Sequence, residues 1–126
     1  MIYQIILPLG IPSKKNSKRI FTNRATGKPF ITSSSAYHTW QKRTKPLMMR
    51  PLMSPFTSCV VTIEVNDCSK RKYDLSNKAE SILDCLVDAH VLADDNRFVV
   101  RELRLIGISD KAKEQGYLIT IEGGTE

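Results

Sequence analysis

Alternation of apolar and polar side chains predicts strands at four places along the chain. Residues 57–65 alternate most clearly, which is the pattern of a strand with one face in a core. Three further stretches are rich in β-branched, aromatic or leucine side chains and also predict strands. They are residues 2–9, 99–108 and 116–122.

A hairpin is predicted between the first strand and the first helix. Ile20 and Phe21 stand on one arm, Phe30 and Ile31 on the other, and the stretch NRATGKP lies between them. A short polar connection containing glycine, flanked by apolar pairs, is typical of two antiparallel strands joined by a turn.

The first predicted helix follows a run of serines at 33–35, which are favoured N-cap residues. Tyr37 and Trp40 share one face of it. These aromatic rings can either stack on unpaired bases or pack in a core or a dimer interface, and the second role is the commoner one. Pro46 and Pro51 are expected to limit or interrupt the helix.

Residues 75–89 carry the strongest helical pattern of the chain. Leucine, isoleucine and alanine recur three or four positions apart and form one apolar stripe. The opposite face is polar and includes Asn77, Ser81, Asp84 and Asp88. In chain order, the elements predict one α+β domain over residues 1–126, with a small mixed or antiparallel sheet and two main helices.

Charge is distributed unevenly along this chain of 126 residues and net charge +6. Residues 1–63 contain ten Lys and Arg but no Asp or Glu, and all 13 acids lie from Glu64 onward. A segment with only positive charge repels itself unless an anion neutralises it. Nucleic acid is the commonest such partner, although a merely soluble basic surface is the simpler alternative.

The cysteines and the N-terminal segment indicate in which cellular compartment the protein is expected. Cys59, Cys68 and Cys85 are odd in number and show no C-x-x-C spacing, so they predict neither a zinc site nor a disulfide framework and fit a reducing cytoplasm. The apolar run at residues 2–9 is too short to span a bilayer. Positive charge follows that run, which is unlike a signal peptide. Neither a membrane partner nor a small-molecule cofactor is expected.

The candidate chemistry lies in three carboxylates around the second helix. Asp74 stands at its start, two positions after the basic run 70–72, and Asp94 and Asp95 follow its end. Considered separately, Asp74 is typical of a helix N-cap, and the pair Asp94 and Asp95 is typical of a turn. A helix of 15 residues is about 22 Å long, so the acids meet only if the chain after the helix turns back. Carboxylates that do meet need a cation, and hard oxygen ligands favour Mg²⁺.

The segment KRKYDLSNKAESILDCLVDAHVLADDNRFV resembles the signature of the RusA-type Holliday junction resolvases. That signature has a basic run, a D-[LI]-[DS]-N motif, an amphipathic helix and then a D-D pair before a strand. The stretches SKKNSKRI and GKPFITSSSAY also resemble the family, so the likeness covers roughly residues 2–122. It is most specific at 70–97.

The resemblance implies a homodimeric α+β endonuclease, encoded by a phage or prophage, that resolves four-way DNA junctions by paired nicks. It implies Mg²⁺, with Mn²⁺ able to substitute, and a water nucleophile. Asp74 and Asp95 match family metal ligands with catalytic roles, Asp94 matches the adjacent acid, and Asn77 matches an auxiliary residue. A two-fold dimer suits the substrate because each subunit can present one site to one of two equivalent strands.

Two positions depart from the best-known form of the family pattern, which has a second aspartate two residues after the first and a lysine six residues after it. Ser76 stands where the family has a second aspartate, and Glu80 stands where it has a catalytic lysine. Ser76 is therefore only an auxiliary candidate, and Lys78 is the candidate for steadying the phosphate. Basic residues are expected to bind the DNA backbone. They are Lys14, Lys15, Lys18, Arg19, Lys70, Arg71 and Lys72.

Two other functions remain open from the sequence. The departures at Ser76 and Glu80 suit a protein that binds branched DNA without cutting it. A basic domain that binds RNA is the third possibility, and it predicts no preference for a four-way junction over duplex DNA.

Overall fold

The computed structural model describes residues 1–12, 18–22, 25–26, 29–33, 35–49 and 54–125, with the backbone alone at 18–22, 29–33 and 125. These residues contain six strands and two helices. In chain order they are β1 (Ile2–Leu7), β2 (Lys18–Thr22), β3 (Pro29–Ser33), α1 (Ser35–Met48), β4 (Phe56–Asn66), α2 (Leu75–Asp88), β5 (Val100–Ile108) and β6 (Gly116–Thr125).

Four strands form one mixed sheet in the order β1-β6-β4-β5. β6 pairs antiparallel with both β1 and β4, whereas β4 and β5 are parallel. Parallel neighbours need a long crossover, usually helical, and α2 lies in the connection between them. The structure therefore confirms the α+β class, the mixed sheet and the two helices.

The predicted hairpin is confirmed as a separate two-stranded sheet. β2 and β3 pair antiparallel, with Ile20 opposite Ile31 and Phe21 opposite Phe30. The predicted arms are thus in register. Arg24 and Lys28, which the sequence places between the arms, lie outside the described residues.

The core lies between the sheet and α2. Val61 and Ile63 of β4 are buried, as their alternation predicted, and they belong to one apolar cluster with Ile82 and Leu86 of α2. Full burial of such side chains contributes about 1.5–3 kcal/mol each. This burial holds α2 against the sheet.

Two details of the helices qualify the sequence predictions. α1 runs through Pro46 and ends two residues later, at Met48, so the proline stands near the helix end without interrupting it; its ring removes one backbone N–H donor. Ser81 was assigned to the polar face of α2 but is fully buried. Its hydroxyl donates to the Pro12 carbonyl at 2.8 Å, so burial leaves it hydrogen-bonded.

α1 is tied to α2 by two side-chain hydrogen bonds. Tyr37 Oη donates to Asp84 Oδ2 at 2.6 Å, and Gln41 Nε2 donates to Asp88 Oδ2 at 2.8 Å. Tyr37 is buried, which confirms the core role for this ring. Burial first, and then the bond to Asp84, raises the pKa of Tyr37. Asp84 thus anchors α1 and is more than a solvated face residue.

Neither helix in the described part of the chain has the length and apolar character that a membrane-spanning helix requires. Each contains 14 residues.

The pairing of β6 with β4 predicts different costs for two adjacent glycines. A Cβ on Gly123 would overlap the Ser58 carbonyl oxygen and lie 2.7 Å from Cys59 Cα, whereas a Cβ on Gly124 would meet nothing within 4 Å. Gly123→Ala should lower the free energy of urea unfolding by about 1–3 kcal/mol, because backbone must move. Gly124→Ala should change it by no more than about 0.5 kcal/mol. Equal effects would contradict this β6–β4 register.

The Tyr37–Asp84 bond predicts a stability loss at alkaline pH. The folded protein holds the Tyr37 proton more tightly than the unfolded chain, whose tyrosine pKa is about 10. Unfolding therefore releases this proton above pH ~10, and stability falls as the pH rises further. Tyr37→Phe should lower stability at pH 7 by about 1.5–3 kcal/mol and flatten the fall between pH 9 and 11, measured by urea unfolding. An unchanged slope would show that folding does not raise the pKa of Tyr37.

Candidate metal and nucleic-acid site

Asp74 occupies the N-cap position of α2 without using its side chain as a cap. Its backbone is extended, with φ −77° and ψ 123°, and its carboxylate makes no capping hydrogen bond. Instead, Asp74 Oδ2 accepts a long hydrogen bond of 3.5 Å from Asn77 Nδ2. The side chain is exposed, so Asp74 keeps acceptor capacity for a ligand.

Asp94 and Asp95 lie in a turn, as the sequence analysis expects of the pair taken by itself. Their carboxylates differ in hydrogen bonding. Asp94 accepts from the Asp95 amide at 2.7 Å and from Asn96 Nδ2 at 3.1 Å, so each of its oxygens has a partner. The Asp95 carboxylate is exposed. Asp94 therefore shapes the turn, and Asp95 is the more available ligand.

Within one chain, Asp74 and Asp95 lie at opposite ends of the sheet. Asp74 is next to Leu75, whose Cδ1 would lie 3.6 Å from a Cβ on Gly107 near the end of β5. Asp95 is next to Asn96, whose carbonyl accepts from the Val100 amide at 2.9 Å, where β5 starts. The part of β5 from Val100 to Gly107 spans about 23 Å. The 14 residues of α2, which run the other way along the sheet, span about 21 Å.

The chain after α2 does not return along the helix to bring the acids together. It continues to the start of β4, where the Ala93 amide donates to the Phe56 carbonyl at 3.0 Å. Accordingly, among the described residues no three His, Cys, Asp or Glu side chains are grouped closely enough to hold a metal ion. A metal shared by Asp74 and Asp95 therefore requires a second copy of the chain.

Lys78 lies on the first turns of α2 and reaches the segment that follows β1. Its Nζ donates to the Ile11 carbonyl at 2.5 Å and lies 5.3 Å from the centroid of the Tyr73 ring. Burial first, and then the nearby Arg71 charge, lowers the pKa of Lys78. One of its three donors is thus used to fix the chain at Ile11.

A cleft of about 320 Å³ opens between this segment and the start of α2. Gly10, Ile11 and Pro12 line one side of it, and Arg71 and Lys78 bring positive charge. Gly10 turns the chain at its rim with φ +94°, a conformation that only glycine adopts readily.

Asp67 and Tyr73 also line the cleft and are hydrogen-bonded to each other. The sequence analysis did not identify either residue. Tyr73 Oη donates to Asp67 Oδ2 at 2.7 Å, and the Ser69 amide donates to Asp67 Oδ1 at 2.9 Å. Hydrogen bonds from Ser69 first, and then from Tyr73, lower the pKa of Asp67. Burial raises that of Tyr73. An Asp two positions before a Ser, just past a strand, is the signal for this turn.

The remaining predicted residues divide into those the structure places and those it does not. Lys70, Arg71 and Lys72 are all exposed, but of the three only Arg71 lines the cleft. Ser76 and Glu80 are exposed on α2. Lys14 and Lys15 lie outside the described residues, and Lys18 and Arg19 belong to β2, where the backbone alone is described.

The chain was compared with protein-family models and with curated proteins. No family model matches it, and no curated protein matches it.

Proposed function

We propose that this protein is a divalent-metal-dependent endonuclease that resolves four-way DNA junctions as a homodimer by paired nicks. The observation that carries the proposal is the Asp74 carboxylate, which is exposed at an N-cap and makes no capping bond. The basic run 70–72 ends two positions before it, and Tyr73 and Lys78, which flank it in sequence, line the cleft together with Arg71. This combination offers a metal ligand next to a surface for phosphates, and it agrees with the resemblance of residues 70–97 to the RusA-type resolvases.

The proposed metal site is shared between two subunits. Asp74 and Asp95 are about 20 Å apart along one α2 helix, so a single ion cannot contact both in one chain. A two-fold dimer with antiparallel α2 helices would set Asp74 of one protomer beside Asp95 of the partner subunit, and the reverse at a second, equivalent site. Two sites of this kind match two equivalent strands of a four-way junction.

Each side chain then has a distinct role. Asp74 and Asp95 are metal ligands and, with Lys78, catalytic residues; Asp94 is an auxiliary ligand that orders the turn around Asp95. A bound Mg²⁺ or Mn²⁺ would supply a water nucleophile of lowered pKa and polarise the phosphoryl group. Lys78 has two donors beyond the one on Ile11 with which to hold a phosphate.

The second candidate is a protein that binds branched DNA without cutting it. Two observations favour it: Ser76 and Glu80 replace an acid and a base of the family pattern, and one chain's described residues contain no metal-binding group. Because Ser76 brings no negative charge, a site made of Asp74 and Asp95 has fewer anionic ligands to hold a dication.

Junction cleavage tests the enzyme against the binding protein. Purified protein with Mg²⁺ or Mn²⁺ should produce symmetric nicks in a synthetic four-way junction. Asp74→Asn and Asp95→Asn should each lower the rate by at least about 100-fold, since loss of even an outer-shell partner costs 10- to 100-fold. Tight junction binding without nicks in either metal would support the binding protein, and equal affinity for duplex would favour the RNA-binding alternative.

Mixing the two inactive variants tests whether the site is shared. In a heterodimer of Asp74→Asn with Asp95→Asn, a shared arrangement leaves one site with both aspartates and the other with neither. Random exchange should therefore restore about one quarter of the wild-type sites, seen as single nicks in the junction. Sites contained in one chain would stay inactive in every mixture.

Ser76→Asp restores the acid of the family pattern in the first turn of α2. If position 76 borders the metal, the extra carboxylate should preserve or raise the cleavage rate and lower the Mg²⁺ concentration needed for half-maximal activity. Ser76→Asn, without the added charge, is the matched control. A large loss on Ser76→Asp alone would place position 76 away from the metal.

A further inference from the structure

β5 is an edge strand whose outer side pairs with no strand among the described residues. It lies last in the sheet order β1-β6-β4-β5 and is nine residues long. Ile108 directs its carbonyl to the β4 side, where the Asp67 amide donates to it at 3.1 Å. Because alternate residues of a strand turn their backbone groups to opposite edges, Leu103 and Leu105 direct theirs away from the sheet. A long unpaired edge of this kind is a template for pairing with another chain.

Two side chains of β5 carry opposite charges on one face of the sheet. Arg104 Nε donates to Glu102 Oε1 at 2.9 Å, and both side chains are at least half exposed. Between them, Leu103 stands opposite Val61, which is buried in the core. Glu102 and Arg104 therefore lie on the face away from α2, and Leu103 lies on the α2 face at the margin of the sheet.

We propose that β5 pairs antiparallel with β5 of a second copy of this chain, about a two-fold axis at Leu103, so that the two four-stranded sheets become one continuous sheet. Leu103 of each copy then donates to and accepts from Leu103 of the other. Glu102 of each copy stands opposite Arg104 of the other, in a non-hydrogen-bonded pair, where side chains approach most closely. This inference rests on the proposed function for the homodimer and adds the surface that forms it.

The charges select this register over its neighbours. A shift of one strand by one residue would set outward-directed backbone groups opposite inward-directed ones. A shift by two residues moves the axis to position 102 or 104, which places Glu102 opposite the same glutamate of the partner subunit, or Arg104 opposite the same arginine. Like charges directly opposite each other destabilise a strand pair. Of these three registers, only the axis at Leu103 pairs opposite charges.

Apolar side chains of β5 support the same pairing. Leu103 and Ile106 are each 40% exposed in the single chain. In the proposed register the two Leu103 side chains meet at the axis, and Ile106 of one copy stands opposite Val100 of the other. Pairing therefore removes from water apolar surface that one chain leaves exposed, which favours association.

The same axis brings the candidate metal ligands toward each other. Within one chain, Asp74 lies near Gly107 at one end of β5, and Asp95 lies at the other end. Pairing about Leu103 sets Gly107 opposite Val99 of the partner subunit. Asp74 of one protomer and Asp95 of the other then lie at the same end of the joined sheet, and the two α2 helices run antiparallel on one face of it. The charges of β5 and the positions of the acids are separate observations, and both favour this dimer.

Charge reversal tests the interface through the oligomeric state, measured by sedimentation equilibrium in EDTA and without DNA. Glu102→Arg sets arginine opposite arginine on both sides of the axis, and Arg104→Glu sets glutamate opposite glutamate. Each variant should weaken the dimer by roughly 10-fold or more, because two attractive pairs become repulsive. Lys42 is exposed on α1, and Lys42→Glu is the matched reversal away from β5, which should stay within about twofold of the wild type.

Complementation separates lost pairing from lost folding. A heterodimer of Glu102→Arg with Arg104→Glu has opposite charges at both cross-strand positions, and so does a homodimer of the double variant Glu102→Arg/Arg104→Glu. The mixture and the double variant should each regain dimerisation to within roughly threefold of the wild type. In the wild-type dimer, hydrogen exchange at the Leu103 amide should slow on dilution-reversible association, because that amide is then hydrogen-bonded to the partner subunit.

Three results would overturn the inference. These are a wild type that is monomeric at every concentration tested, single variants that dimerise as the wild type does, and single variants that neither mixing nor the double variant rescues. The measurement contains no metal and no DNA, so it is independent of cleavage. Junction nicking by a protein whose dimer resists these variants would reject the β5 interface alone. A β5 dimer that does not nick a junction would reject the nuclease and leave the interface standing.

Discussion

The parallel pairing of β4 with β5 sets the geometry on which the candidate site depends. Antiparallel neighbours can be joined by a short turn, but parallel strands require the chain to cross back over the sheet before the second strand begins. Here α2 makes that crossing. The start of α2 must then lie near the end of β4, and the loop after α2 near the start of β5. Asp74 and Asp95 are held apart by this topology alone.

Packing makes that separation rigid. The apolar stripe of α2 is buried in the same cluster as β4, and Asp84 and Asp88 tie α1 to its other side through Tyr37 and Gln41. Ser81 and Lys78 add bonds to the segment after β1. A helix held on three sides cannot slide by the 20 Å or so that would unite the acids. If the two acids share an ion, a second subunit has to bring them together.

Sequence pattern predicted much of the fold because its signals are local. The alternation in β4, the apolar stripe of α2 and the arms of the hairpin all depend on near neighbours along the chain. The pattern could not show where polar residues find distant partners: Ser81 was assigned to a solvated face, yet it is buried against Pro12. Pro46 lies inside α1, which ends two residues later at Met48, and the sequence pattern did not fix on which side of the proline the helix would end.

The same distinction applies to the candidate site. Asp74 and the D-D pair were found from short motifs, and the turn around Asp94 followed from ordinary turn chemistry. Their separation follows from strand order, which a motif does not encode. The cleft is formed by residues near positions 10, 70 and 78, and Asp67 belongs to no motif of the family pattern. Only the folded chain brings these segments to one place.

The proposed nuclease function depends on a dication held between Asp74 of one subunit and Asp95 of another. The most direct measurement is a crystal structure of the protein grown with Mn²⁺, with the metal located by its anomalous scattering. The proposed shared site predicts two equivalent Mn²⁺ peaks per dimer, each within coordination distance of Asp74 from one protomer and Asp95 from its partner. A dimer with these carboxylates far apart and no shared metal would contradict it.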